Sequence, residues 1–218
     1  MRQELTALRS AMAAAGVHVY VIPTGDFHGS EYAGAYFACR KYISGFTGSA
    51  GTLVVSQDWA GLWTDGRYFL QAADQLSGSD IQLMKMGQPG VPTVREWIEE
   101  HLSEGQTLGF DGRIMTLGAG QALAGAAGRK GAALRYDLDL VGEIWPDRPG
   151  LPTEDVWALP LSYTGRTRSE KLRNLREAMD RAGADAHILT SLDDICWLLN
   201  FRGSDVPYLT LTLALAQA

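Results

Sequence analysis

The sequence predicts an α/β fold. Three observations carry that reading: apolar residues at helical spacing that stop at a glycine, short apolar runs of strand length between turn residues, and a helix-then-strand unit that occurs twice. The chain has 218 residues, 46% of them hydrophobic and 20% charged. That is an ordinary globular composition, with room for one large domain or for one domain and part of another. The formal charge of −6 comes without any basic run, which argues against a nucleic-acid partner, because phosphate neutralisation needs clustered Lys and Arg.

Leu5, Leu8, Met12 and Ala15 recur at helical spacing, and Gly16 ends the pattern as a C-terminal glycine does. A strand over 18–22 follows. Residues 52–56 and 61–64 read as short strands, 68–73 as the start of a helix and 81–84 as another strand. Thr93 with Glu96 three residues on is a capping-box signature, and Val94, Trp97, Ile98 and Leu102 give the helix behind it one apolar face. Residues 108–110 predict a strand and the alanine-rich 117–127 a helix.

Between Pro146 and Pro160 the composition changes: four prolines, at 146, 149, 152 and 160, stand close together without helical or strand period. This reads as a connector. Beyond it, residues 172–183 match residues 5–16 at seven of twelve positions: Leu172, Leu175, Arg176, Ala178, Met179, Ala182 and Gly183 repeat Leu5, Leu8, Arg9, Ala11, Met12, Ala15 and Gly16. Each copy leads into a predicted strand, 18–22 or 186–190, and later carries Phe-x-Gly-Ser, at 46–49 and at 201–204. Two homologous domains, 1–158 and 159–218, are expected. Only fourteen residues follow the second Phe-x-Gly-Ser, so the second domain is expected to be incomplete and the chain to be a fragment of a longer protein.

Cys39 and Cys196 lie far apart and neither belongs to a Cys-x-x-Cys pair, which speaks against zinc ribbons and disulfide scaffolds and for a reduced, cytoplasmic protein. Glu4 and Arg9 interrupt the N-terminal apolar run, so it does not read as a secretory signal. No stretch approaches the roughly 18 apolar residues of a membrane span, and no membrane partner is expected.

The chemistry-bearing residues are sparse. His18, His101 and His187 are scattered over predicted strands and a helix and read as packing or surface residues; His28 lies in a loop with Asp26 and Glu31 nearby, a weak metal pattern. Asp193 and Asp194 suit the first turn of a helix capped by Ser191, with Asp194 completing a capping box. The glycine-rich 44–51, SGFTGSAG, has neither a phosphate-loop ending nor a dinucleotide-binding spacing. No nucleophile elbow and no complete catalytic constellation is present. That leaves LWTDGRYFLQA at 62–72. Two readings of Asp65-Gly66-Arg67 stand side by side: a plain turn with Arg67 as surface partner of Asp65, or an arginine set between aromatic residues to hold a carboxylate or peptide carbonyl by a two-pronged contact.

GDFHGSEY, SGFTGSAGTLVV, LWTDGRYFLQAADQL, LMKMG, IWPDRP and LLNFRGSDV occur in this order. Together they resemble the N-terminal region of the three-domain cytosolic aminopeptidase P family, the Xaa-Pro aminopeptidases of peptidase family M24. The resemblance implies a creatinase-type N-terminal domain, a mixed sheet flanked by helices, followed by the first part of a second, homologous domain. It further implies a parent enzyme that removes the N-terminal residue from peptides with proline second, using two divalent ions, typically manganese. The metal set and catalytic histidines of that family belong to a third, pita-bread domain with no counterpart here, so this chain alone is expected to be inactive and to bind no metal. By the same resemblance Arg67 helps bind the peptide, Asp65 and Tyr68 frame it, and His28 lies in a loop, 28–32, on the same side. A proline-containing peptide, the catalytic domain of the same protein and a homodimer partner are the implied associations. The alternative is a non-hydrolytic peptide- or protein-binding module, since creatinase-type domains also occur without hydrolytic function.

Overall fold

The computed structural model describes residues 2–206, 208–214, 216 and 217. It divides into two units, residues 1–29 with 37–149, and residues 30–36 with 150–218.

In the first unit the chain runs α1 (Gln3–Ala14), β1 (Val19–Pro23), α2 (Cys39–Ser44), β2 (Thr52–Ser56), β3 (Ala60–Thr64), α3 (Phe69–Gln75), β4 (Gln82–Lys85), α4 (Val94–His101), β5 (Thr107–Phe110), α5 (Leu117–Arg129), β6 (Ala133–Arg135) and α6 (Leu140–Ile144). The strands form one sheet in the order β4-β3-β2-β1-β5-β6. β1–β2 and β2–β3 pair antiparallel; β3–β4, β1–β5 and β5–β6 pair parallel. The sheet is therefore mixed, as expected.

The central strand β1 is apolar without alternation because both its faces are covered. Tyr20 and Ile22 join Leu5, Leu8 and Met12 of α1, Ile43 of α2 and Leu140 of α6. Val19 and Val21 point the other way, to Trp97 and Ile98 of α4 and Leu123 of α5. The helical spacing of α1 thus marks a face that is fully buried, and Gly16 behind it has φ 67°, the left-handed conformation that ends a helix. α4 carries the capping box in full: Thr93 Oγ1 accepts from the Glu96 N–H, and the Glu96 carboxylate accepts from the Thr93 N–H at 2.8 Å.

Two local expectations are corrected. The helix expected from Tyr68 begins at Phe69, because residues Gly66–Tyr68 form a 3₁₀ turn first. His18 and His187 stand just before their strands, not in them, and both are exposed. His18 Nδ1 accepts from the Thr107 N–H at 3.1 Å.

Tyr20 is 2% exposed. Its hydroxyl donates to the Leu138 carbonyl at 2.6 Å and accepts from the Leu140 N–H at 3.3 Å, anchoring the turn into α6. Burial raises its pKa well above the usual tyrosine range. Tyr20→Phe leaves two backbone groups unpaired, and a loss of about 1–3 kcal/mol is expected in denaturant unfolding.

The second unit contains β7 (Trp157–Ala158), α7 (Leu161–Thr164), α8 (Arg168–Ala182), β8 (Ile188–Leu189), α9 (Leu192–Leu199), β9 (Phe201–Arg202) and β10 (Ala216–Gln217). β7 pairs antiparallel with β9, and β8 with β10. α8 is the repeat of α1; it has its own capping box between Thr167 and Glu170, and Gly183 ends it at φ 64°. Leu172 and Leu175 pack on Leu189, Ile195 and Leu198. At α9 only half of the expected box forms: Ser191 Oγ accepts from the Asp194 N–H at 3.5 Å, without a return bond. The acids Asp193 and Asp194 still occupy the first turn, where the helix dipole favours them. Cys39 and Cys196 are both buried and not disulfide-bonded. No helix of the described residues is long and apolar enough to cross a membrane.

Candidate functional site

The register fixes which loops share an end of the sheet. Pro23 pairs with Thr52 and Thr52 with Trp63, while Phe110 pairs with Val21. The chain segments after β1, before β2, after β3 and after β5 therefore all issue from the carboxyl end of the parallel strands, where α/β sheets generally place ligands.

β3 delivers the turn. Thr64, buried at its last position, donates to the Ala50 carbonyl at 2.7 Å and ties the turn to the glycine-rich 44–51 segment. Asp65 then caps the 3₁₀ turn by accepting from the Arg67 N–H at 3.1 Å. The same carboxylate takes both prongs of the guanidinium, Nε at 2.8 Å and Nη2 at 2.8 Å. Hydrogen bonds from the Arg67 side chain, ahead of the backbone bond and the charge itself, hold the Asp65 carboxyl at about 2. The guanidinium also lies 5.2 Å from the Tyr68 ring centre, and its side chain remains 69% exposed. The turn is thus a local Asp–Arg pair with the exposed cation lying along a tyrosine, as the first of the two sequence readings expects.

Tyr68 is itself held. Its hydroxyl and Ser49 Oγ are 2.7 Å apart, and its ring meets Phe46 edge-on at 5.9 Å between centres. Beneath them Arg40, 6% exposed, donates from Nε to Thr24 Oγ1 at 2.8 Å, from Nη1 to the Phe46 carbonyl at 3.3 Å and from Nη2 to the Gly48 carbonyl. Burial lowers its pKa to about 10.

Asp65, Arg67 and Tyr68 are therefore brought together. His28 leaves the sheet after β1, two strands across from β3, with its backbone N–H donating to Asp26 Oδ1 at 2.9 Å. It shares the end of the sheet with the turn, while residues 30–36 belong to the second unit. Among the described residues no three His, Cys, Asp or Glu side chains gather so as to hold a metal ion.

Two features escaped the sequence reading. One is a second Asp-Gly-Arg turn: after β5, Asp111 accepts from the Arg113 N–H at 3.0 Å and pairs with its guanidinium at 2.8 Å, as Asp65 does with Arg67. Self-comparison of the sequence would have found it. Arg113 is further tied to Asp139 at 2.7 Å, which Arg148 also holds. The other is Arg40, for which no local signal exists.

Comparison with known proteins places this architecture. Two family descriptions, both of the creatinase/prolidase N-terminal domain, match residues 5–135 and 147–217. Aminopeptidase P2 of Arabidopsis thaliana is 44% identical over 211 residues, covering 94% of this chain and 30% of that protein. Xaa-Pro aminopeptidase app-1 of Caenorhabditis elegans is 44% identical over 192 residues, covering 87% of this chain and 31% of that protein. The chain thus spans about a third of the length of the curated relatives it matches. The crystal structure of X-prolyl aminopeptidase from Caenorhabditis elegans, described as a cytosolic enzyme with a di-nuclear active site, superposes with a TM-score of 0.90 at 39% identity, over 99% of this chain and 37% of that one. With its mixed sheet, its repeated helix and matches that account for both halves, the chain belongs to the creatinase/prolidase N-terminal domain family, alongside Xaa-Pro aminopeptidases.

Proposed function

We propose that this chain is the non-catalytic N-terminal part of a cytoplasmic Xaa-Pro aminopeptidase, built of two homologous creatinase-type domains, 1–158 and 159–218. The parent enzyme removes the N-terminal residue from peptides with proline in second position. Its two divalent ions, manganese in this reading, lie in a catalytic domain outside these residues. The chain contributes peptide binding, with Arg67 contacting the peptide, Asp65 and Tyr68 aiming it, and His28 lining the same end of the sheet. Partners are the proline-containing peptide and the protein's own catalytic domain, with a homodimer as the assembled form. The observation that carries the reading is the exposed Arg67 guanidinium, pre-set by a bidentate Asp65 at the ligand-binding end of the sheet.

The test is to sequence the source gene past the codon for Ala218 and to assay both products with manganese on an Xaa-Pro-Pro peptide. A frame that continues into a domain bearing a two-Asp, His, two-Glu metal set, with turnover only by the longer product, is expected. Turnover by the 218-residue chain alone would contradict the assignment. A stop codon at that point would favour a stand-alone binding module.

A further inference from the structure

Arg40 is a buried cation. It takes part in none of the ion pairs of the described residues. Its guanidinium is spent instead on two backbone carbonyls and a hydroxyl, and stands 4.8 Å from the Phe46 ring centre. A buried charge without a counter-ion is costly, so a neutral residue would ordinarily serve a purely structural role better.

The second unit carries the same motif with a different residue at this position. There α9 ends at Asn200 in the left-handed conformation (φ 53°) and runs straight into Phe201-Arg202-Gly203-Ser204, as α2 ends at Gly45 (φ 73°) and runs into Phe46-Thr47-Gly48-Ser49. In both copies the glycine of the motif has no room for a side chain: a Cβ would stand 2.2 Å from the Phe46 ring at Gly48 and 2.7 Å from Thr212 at Gly203. Six residues before the phenylalanine, where the first unit has Arg40, the second has Ile195, 1% exposed. There the Phe201 carbonyl accepts instead from Arg202 Nη1 at 2.7 Å, and Phe201-Arg202 pairs with Trp157-Ala158 as a strand, so the first unit differs in pinning the segment from a buried position on the preceding helix. In the first unit the turn at 65–68 rests on that segment through Ser49 and Tyr68.

Resting on the proposed peptide-binding role of the turn, we infer that Arg40 is a positioning residue for it. The guanidinium pins the carbonyls of Phe46 and Gly48, the pinned segment sets Ser49, Ser49 sets the Tyr68 hydroxyl, and Tyr68 sets the surface along which Arg67 lies. Arg40 touches no substrate; it acts by holding Arg67 in register with one.

The test uses the complete enzyme that the gene encodes, with an Xaa-Pro-Pro peptide, and compares Arg40→Met, Arg40→Lys, Arg67→Ala and the Arg40→Met/Arg67→Ala double variant. Arg40→Met is expected to raise KM about tenfold while kcat stays within about twofold, Arg40→Lys to recover part of that, and the double variant to be no worse than Arg67→Ala alone. Effects of Arg40→Met and Arg67→Ala that multiply in the double variant, or an unchanged KM in Arg40→Met beside a raised one in Arg67→Ala, would overturn the positioning role and leave the binding role of Arg67 standing. An unchanged KM in Arg67→Ala itself would instead refute the peptide-binding reading on which the inference rests. Should Arg40→Met fail to fold, Ser49→Ala breaks the same path at an exposed hydroxyl. A KM rise of several-fold there supports the inference, and no change rejects it.

Discussion

Arg67→Ala is expected to lower kcat/KM of the complete enzyme by ten- to a hundredfold, about 1.4–2.7 kcal/mol of lost transition-state binding, while leaving thermal unfolding almost unmoved. The asymmetry follows from exposure. The guanidinium is mostly in water and its partner Asp65 is a surface carboxylate, so the pair contributes little to folding. The same pair contributes to binding by holding two prongs of the arginine in one direction before a ligand arrives, which removes ordering cost at the moment of association. Asp65 is held at about 2, below its unfolded value near 4. The sign of that depression means its stabilising effect is present above about pH 4 and lost as pH falls through about 2. The turn therefore stays assembled above about pH 4, and the penalty for Arg67→Ala should not vary with the charge of Asp65 there. Kinetics unchanged by the substitution would make Arg67 an ordinary surface residue.

Trp63→Ala is expected to be the most damaging single change to stability, by about 3–5 kcal/mol, read as a fall in melting temperature of about 10 °C or more. Trp63 is 1% exposed and lies directly before the turn on β3. Its indole N–H donates to the Pro92 carbonyl at 2.7 Å, at the entry to α4, and its ring meets Trp59 and Trp97 edge-on at 5.8 and 6.1 Å between centres. Removing it opens a large void between sheet and helix and strands a carbonyl. A loss below about 1 kcal/mol would mean that the surrounding tryptophans collapse into the space and that Trp63 does not pin β3 to α4.

The two substitutions separate the two things the 62–72 stretch does. Residues 62–64 are core and the tip at Gly66-Arg67 is surface, and the change begins after Thr64, whose buried hydroxyl donates to the Ala50 carbonyl. A stretch read only as a motif would not divide there.

What the sequence by itself determined is what interactions within a few residues can encode. The apolar spacing of α1 and its arrest at Gly16, the Thr93–Glu96 box, the Asp65 turn and the matching α1 and α8 helices all rest on contacts no more than a turn apart, so the residues needed are neighbours in the text. Order along the sheet is different. That β1 sits between β2 and β5, antiparallel to one and parallel to the other, depends on pairings between residues up to about ninety positions apart, and an apolar run such as 19–23 is equally compatible with several neighbours. Only the tertiary structure could therefore place the turn after β3 and the loop of His28 at one end of the sheet. The same holds for Arg40. An arginine in a short helix reads as surface until Thr24, Phe46 and Gly48 are folded around it, because what makes it special is three acceptors brought in by the fold and the water that they exclude.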